Sequence, residues 1–333
     1  EASQLGKIRI VDSALSNTKK IAPKTSLILI ASLFCGLIFG VLFILVTEYL
    51  DSTIKSIEEI ERRGLPILAI IPSIGKLADI KKKKKKGYKV NLKLSSPEKI
   101  ERRLLTHEDP KSPISEAYRS LRTSLMYDND QSQCRVMLVS SSGPGEGKTT
   151  TVANLAITYA NMGKKTLLVD ADLRKPVIHK MFINDINKGF TNFLIGNEKD
   201  IKNIYYNTDV KNLSIIKSGA VPPNPSELLA SKNMSAFIEQ VKKEFDVILF
   251  DTPPMIAVTD AFLLDKHVDK KLLVIRASVT QKGALQRTLV NLENMGTSLD
   301  GIVFNGVDGS NTYGGGYYYN YYQYYYGNED KNK

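Results

Sequence analysis

Ser141-Ser142-Gly143-Pro144-Gly145-Glu146-Gly147-Lys148-Thr149-Thr150 is the stretch whose reading decides the fold. An apolar run, Arg135 to Ser140, precedes it, and a helix-forming stretch, Thr151 to Ala160, follows. Strand, glycine loop and helix in that order are the setting of a phosphate-binding loop. Gly143, Gly145 and Gly147 lack a Cβ, so the backbone can turn tightly and aim its N–H groups at an anion. A helix starting near Lys148 brings unpaired N–H groups and a partial positive charge to the same point. Pro144, Glu146 and Thr150 complete the expected cradle. Lys148 would reach the β- and γ-phosphates of a nucleotide, and the Thr149 hydroxyl would ligate Mg²⁺. Ser142 stands where the usual motif has its first glycine, so the match is to the tail of the motif.

Two further segments agree with this reading. LLVDADLRKP, Leu167–Pro176, ends an apolar run in Asp170 and Asp172, and VILFDTPP, Val247–Pro254, ends one in Asp251. Carboxylates at the carboxyl ends of strands sit where open α/β sheets place ligands. An acid ending an apolar strand can hold Mg²⁺ or its water shell, and a neighbouring acid can accept a proton from an attacking hydroxyl. Which of the three plays which part stays open at this level. Strands are expected at Arg135–Ser140, Lys165–Asp170, Leu213–Lys217, Val247–Asp251, Lys271–Arg276 and Gly301–Asn305. Helices are expected from Ser112, over Ser226–Glu244 and over Gln281–Met295. Strands without alternation, each followed by a helix, predict a mostly parallel sheet covered on both faces.

Outside this globular part, residues 112–310, the chain changes character. Thr25 to Thr47 contains no charged residue, and 20 such positions suffice to cross a bilayer core of about 30 Å. A transmembrane helix is therefore expected at 25–47, with Gly36 and Gly40 spaced for close helix approach. Residues 1–24 read as the end of a preceding extracytoplasmic domain, and 48–111 as a juxtamembrane linker. Lys81 to Lys86 supply six of the charges behind a net +11. They suit either anionic headgroups or plain solvation. ATP and Mg²⁺ are cytosolic, so everything after Thr47 is expected inside. Two cysteines, Cys35 and Cys134, and three histidines give neither a disulfide framework nor a zinc site. Nine of the sixteen tyrosines lie between Tyr313 and Tyr326, among Gly and Asn, in a segment (311–333) that cannot build a core.

PGEGKTT, LLVDADLRKP and VILFDTPP together resemble the bacterial tyrosine kinases of capsule and exopolysaccharide assembly, relatives of the deviant-Walker ATPases of cell division and plasmid partition. Glu116, Arg119 and Arg122 match that family's E-x-x-R-x-x-R helix, and Pro222–Leu229 its P-x-N-P-x-E-L-L segment. The membrane helix, EYLDSTIK at 48–55 and GLPILAIIP at 64–72 resemble the last part of a polysaccharide co-polymerase, here on the same polypeptide. The resemblance implies an α/β P-loop NTPase fold of the MinD/ParA-like type. It implies ATP and Mg²⁺ as cofactors, with Lys148 on the phosphates, and Thr149, Asp172 and Asp251 around the metal. Asp170, with Lys148 and Asp172 among the catalytic residues, is the leading candidate for activating a tyrosine hydroxyl, and Asn305 lies on the adenine side.

The same resemblance implies a homo-oligomeric ring, an octamer in the family, packed through Glu116, Arg119 and Arg122. Within it the chain would phosphorylate in trans Tyr313, Tyr317, Tyr318, Tyr319, Tyr321, Tyr322, Tyr324, Tyr325 and Tyr326. Other proteins with exposed tyrosines, a tyrosine phosphatase, the polysaccharide export machinery and the bacterial inner or plasma membrane are the implied partners; nucleic acid is not among them. Two rivals remain at this level. One is a MinD/ParA-like regulatory ATPase that switches partner binding without modifying protein; Gly143 stands where those relatives carry a loop lysine. The other is a structural co-polymerase subunit with a vestigial nucleotide site.

Overall fold

The computed structural model describes residues 23–73, 104–126, 135–182 and 188–307. The acceptor tyrosines Tyr313 to Tyr326, the lysine run 81–86, Cys134 and nearly all of residues 1–24 lie outside them. The chain divides into two units, Glu1–Ser52 and Thr53–Lys333. In the first, helix α1, Thr25–Leu50, has no buried residue, and its 18-residue apolar window averages a hydropathy of 2.9. Among the described residues it is the one helix long and apolar enough to cross a membrane. It runs three residues past the expected end at Thr47.

The second unit is built on one eight-stranded sheet. Its strands are β1, Ile67–Pro72; β2, Arg135–Ser141; β3, Thr166–Asp170; β4, Tyr205–Asn207; β5, Leu213–Ile216; β6, Val247–Asp251; β7, Lys270–Arg276; and β8, Gly301–Val307. They lie in the order β1-β8-β7-β2-β6-β3-β5-β4. Every pair is parallel except β4 with β5. Alternate side chains leave opposite faces of a strand, and here both faces are covered. Val136 and Leu138 of β2 join Leu167, Ile248 and Phe250 in one core. Met137 and Val139 join Leu168 and Leu249 in the other.

Each core is closed by helices whose apolar residues recur on one face. In α2, Pro113–Met126, these are Ile114, Ala117, Tyr118, Leu121 and Leu125. In α3, Lys148–Asn161, every residue from Thr149 to Ala160 is buried, so this central helix has no solvent face. On the opposite side, α4, Lys232–Glu244, inserts Met234, Phe237, Ile238 and Val241, the i, i+3, i+4, i+7 pattern of an amphipathic helix. Phe237 lies 4.7 Å from Phe190 between ring centroids and 6.4 Å from Phe250. Burying each such ring contributes roughly 1.5–3 kcal/mol. The last helix, α5, is Lys282–Asn294.

All six expected strands form, and two more appear. The helix expected over Ser226–Glu244 is two: Pro225–Leu229, then α4, because Ser231 takes an extended conformation (ψ 162°) and starts the second as its N-cap. The stretch read as a linker also differs. Ile67–Pro72 is not free chain but the edge strand beside β8. Ahead of it Ile54, Ile57 and Ile60 are buried in the same core as Leu273 and Phe304. Thr53 forms a bridge with Gln281, and Ile54 exchanges backbone hydrogen bonds of 2.8 Å with Thr280 and Ser278. The globular unit therefore begins at Thr53, well ahead of Ser112.

Candidate functional site

β2, β3 and β6 are neighbours, and their carboxyl ends open on one crevice. The phosphate loop leaves β2 and enters α3 at Lys148, with Gly147 as N-cap at φ +95°. A Cβ at Gly147 would stand 2.2 Å from Asn305 Nδ2, the end of a side chain able to move, so it is the left-handed backbone that favours glycine there. Gly145 also has a positive φ, +77°. Gly143 packs against the Glu146 carboxylate, where a Cβ would lie 3.3 Å from Oε1. Pro144 and Gly145 are exposed on the outside of the turn, whereas Thr149 and Thr150 are buried in the first turn of α3. Ser142, in place of the first glycine, is fully buried.

The loop is held from β6. Beyond Asp251 the chain returns so that the N–H groups of Met255 and Ile256 donate to the carbonyls of Ser141 (2.9 Å) and Ser142 (3.3 Å). Ser140 Oγ donates to Pro253 O at 2.8 Å. The start of the phosphate loop and the segment after the β6 aspartate are thus one hydrogen-bonded body.

Lys148, Thr149, Asp172 and Asp251 converge as the sequence predicts. Lys148 Nζ lies 3.1 Å from Asp172 Oδ2 and 3.5 Å from Asp251 Oδ1. Thr149 Oγ1 donates to Asp251 Oδ2 at 2.7 Å. Asp170 stands directly across the β3–β6 ladder from Asp251. Its Oδ2 accepts from the N–H groups of Val177 (3.1 Å) and Ile178 (3.0 Å), while the buried Oδ1 has no hydrogen-bond partner. Asp172 Oδ1 accepts from Lys175 N at 3.0 Å, fixing the turn after β3.

Three carboxylates face one ammonium in this crevice. Burial pushes Asp170 up to about 8, and the charge of Asp251 adds to the shift. Burial likewise raises Asp251, against the opposing pull of Lys148. For Lys148 burial acts downward, yet Asp251 and Asp172 outweigh it, so its pKa is raised and it stays charged. Such an excess of negative charge favours either added protons or an added cation. Among the described residues no three His, Cys, Asp or Glu side chains form a metal cage by themselves. Mg²⁺ does not need one. It characteristically binds one or two carboxylates together with phosphate oxygens and water. Thr149, Asp172 and Asp251 fit that shared arrangement.

The remaining candidates are placed less directly. Asn305, at the end of β8, donates through Nδ2 to the Glu146 carbonyl at 2.9 Å, so its visible contact is with the loop backbone. On α2, Arg119 pairs with Glu116 and donates to the Pro110 carbonyl of its own chain. Arg122 Nη1 donates to Thr158 O of α3 at 2.7 Å. These three side chains have partners within the chain.

Several contributors carried no local signal in the sequence. Arg174 makes a bidentate pair with the fully buried Asp260 (2.7 and 3.0 Å), and Ser226 donates to the same carboxylate at 2.7 Å. This ties the turn carrying Asp172 to the P-x-N-P helix. Arg276 Nη1 reaches Gly145 O at 3.1 Å, and Thr280 Oγ1 reaches Glu146 Oε1 at 2.7 Å. Both lie more than 130 residues from the loop they touch.

Comparison with known proteins agrees with the geometry. A family model described as an AAA domain matches residues 134–295, and GNVR, a G-rich domain on tyrosine kinases, matches 1–49. Tyrosine-protein kinase YwqD of Bacillus subtilis is 37% identical over 208 residues, 62% of this chain and 87% of the relative. Tyrosine-protein kinase wzc of Salmonella typhimurium is 33% identical over 308 residues, 92% of this chain and 42% of the relative. The chain spans less than half the length of several curated relatives of the latter kind. Among solved structures, the kinase domain of Escherichia coli tyrosine kinase ETK superposes with a TM-score of 0.66 at 29% identity, over 76% of this chain and 95% of that one. The BceF tyrosine kinase domain gives 0.64 at 30% identity, over 77% and 100%.

Proposed function

The chain belongs to the bacterial tyrosine-protein kinase family, and from that premise we propose that it transfers the γ-phosphoryl group of Mg·ATP to tyrosine hydroxyls, among them its own cluster from Tyr313 to Tyr326 on a sister chain. The observation that carries this reading is the convergence of Lys148, Thr149, Asp172 and Asp251 at the mouth of one glycine loop.

Phosphoryl transfer asks a protein chiefly for positioning and for charge stabilisation. The N–H groups at the start of α3 and the Lys148 ammonium would take the phosphates; Lys148 exchanges its contacts with Asp172 and Asp251 for phosphate oxygens. Bound Mg²⁺ would supply the charge neutralisation that lysine alone cannot, held by Thr149, Asp172 and Asp251 or through its waters. Asp170 is the proposed base. One of its oxygens is fixed by two backbone N–H groups and the other is uncommitted, so the free oxygen can take the phenolic proton. The tyrosine oxygen bonds to the γ-phosphorus, the bond to the bridging oxygen breaks with ADP as leaving group, and the phenolic proton passes to Asp170. Asn305 would border the adenine, its amide already holding the loop.

Around this chemistry the proposal places α1 in a bacterial inner or plasma membrane with the Thr53–Lys333 unit on the cytoplasmic side, where ATP is found. A ring of such chains, an octamer in our reading, would pack through Glu116, Arg119 and Arg122 and bring each tail to a neighbour's crevice at effective concentrations of about millimolar. Phosphates of roughly −1.5 to −2 charges each would then repel between adjacent tails. Control of capsule or exopolysaccharide polymerisation and export, opposed by a tyrosine phosphatase, is the corresponding role.

The test is phosphotyrosine formation by the purified chain with Mg·ATP. The parent should label itself, and Lys148→Met should not. Phosphate release without phosphotyrosine would replace this reading with that of a regulatory ATPase.

A further inference from the structure

The phosphate loop contains a buried acid that no phosphate-binding role explains. Glu146 is 2% exposed, and its carboxylate is held by a residue from a distant turn. Its Oε1 accepts from the Thr280 hydroxyl at 2.7 Å and packs against Gly143, while its buried Oε2 has no hydrogen-bond partner. A buried carboxylate in an apolar surround is stable only in the company of donors. Here the donor in place is one hydroxyl from a distant turn.

That hydroxyl is itself fixed. Thr280 is 1% exposed, and its Oγ1 accepts from Arg276 N at 2.8 Å while donating to Glu146 Oε1 at 2.7 Å. Thr280 N donates to Arg276 O at 2.9 Å, closing the turn between β7 and α5. The Ile54 backbone clamps the turn from outside through Thr280 O and Ser278 N, both at 2.8 Å. Ala277 N donates to Asn305 O, and the Asn305 amide returns to Glu146 O, so the turn reaches the same residue of the loop by two routes.

We propose that Thr280 is a positioning residue for the nucleotide site: through Glu146 it holds the phosphate loop in the shape that receives phosphate. The inference rests on the kinase reading for the identity of the nucleotide, but not for its own test. Thr280 touches no substrate. Its hydroxyl fixes the Glu146 carboxylate, which packs against Gly143 on the other side of the turn at Pro144 and Gly145. Loss of that hydroxyl leaves a buried acid short of one donor, and the loop relaxes to find another.

The experiment measures binding of a fluorescent ADP analogue, with Mg²⁺, to the full chain carrying Thr280→Val, Thr280→Ser or Glu146→Gln, and to the Val/Gln double variant. Thr280→Val keeps the shape and removes the donor, and should weaken binding by about tenfold or more, the scale of one hydrogen bond to a charged group. Thr280→Ser should restore binding to within about threefold of the parent, a rescue that a packing defect would not give. In the Glu146→Gln background, Thr280→Val should add less than it does alone, because its partner carboxylate has gone. At saturating Mg·ATP, Thr280→Val should give the parent's phosphotyrosine yield, so that its KM moves and its kcat does not. Parent-like affinity in Thr280→Val, failure of Thr280→Ser to rescue, or full additivity with Glu146→Gln would overturn the inference. Absence of nucleotide binding by the parent would instead remove the kinase reading itself.

Discussion

Replacing Ile60 with alanine asks whether the chain ahead of β1 is part of the globular unit. Ile60 is 0% exposed and sits in one core with Ile54, Ile57, Leu273, Ile275 and Phe304. Truncating a buried isoleucine to alanine costs about 2–5 kcal/mol, the transfer of three carbons plus the cavity they leave. Alanine recovers at most about 0.7 kcal/mol through its higher helix propensity at this short helical turn. The net loss is then roughly 2–4 kcal/mol, a fall in melting temperature of about 4–16 °C for a unit of this size. Thermal denaturation followed by circular dichroism, on protein purified in detergent, reads it directly. Glu61→Ala, at the exposed neighbour, is the control and should stay within about 0.5 kcal/mol of the parent. An Ile60→Ala protein that melts with its parent would mean that residues 53–61 are not packed on the sheet, and the boundary at Thr53 would fall.

Other expectations follow from the same geometry. Burial raises Glu146 to about 7 from an ordinary 4.5, against the opposing pull of the donors around it, the Thr280 hydroxyl among them. A folded-state value above the unfolded one means stability that is full below about 4.5 and is lost as pH rises through about 7. Glu146→Gln should therefore melt above the parent at pH 7.5 relative to pH 5, by an increment worth up to about 3 kcal/mol; parallel pH profiles would contradict the buried carboxylate. Gly147→Ala should weaken nucleotide binding, since it strains the loop at φ +95° and displaces the Asn305 amide from the Glu146 carbonyl, and parent-like affinity by calorimetry would contradict it. The triple variant Glu116→Ala, Arg119→Ala, Arg122→Ala should run as a smaller species by light scattering. Because Arg122 donates to the buried Thr158 O of α3, whereas Glu116 and Arg119 pair at the surface, Glu116→Ala with Arg119→Ala alone should give most of the change with a smaller loss in melting temperature than the triple variant. An unchanged oligomer would remove these residues from the ring.

What the sequence discloses of this architecture divides along physical lines. β2, β3 and β6 are legible because strands buried on both faces read as unbroken apolar runs ending in an acid or a glycine loop. β1 has the same composition but lies between Pro66 and the charged stretch after Ser73, and its partner β8 is more than 200 residues away. Nothing local distinguishes such an edge strand from an extended linker. β4 is three residues long and gives no period to detect. The expected helix over Ser226–Glu244 is broken at Ser231, which is extended and makes no side-chain cap hydrogen bond, so no capping interaction marks the break.

In the site, residue types at strand ends were enough to bring Lys148, Thr149, Asp170, Asp172 and Asp251 together. The division of labour among the acids was not legible, because it depends on which oxygen each backbone N–H takes. Asp170 spends one oxygen on Val177 and Ile178, Asp172 one on Lys175, and Asp251 one on Thr149. Thr280 and Asp260 have no signature at all. Each matters only through a partner brought near by the sheet order.

The central claim is that the Lys148 crevice of one chain delivers phosphate to the tyrosines at the end of another. Its most direct test mixes the active chain with an isotope-labelled Lys148→Met chain, adds Mg·ATP, and reads residues 306–333 of the labelled chain by mass spectrometry. The account predicts several phosphates on Tyr313 to Tyr326 of the inactive labelled chain when the parent is present, and none without it. Labelled tails that stay unmodified while the parent turns over ATP would contradict it.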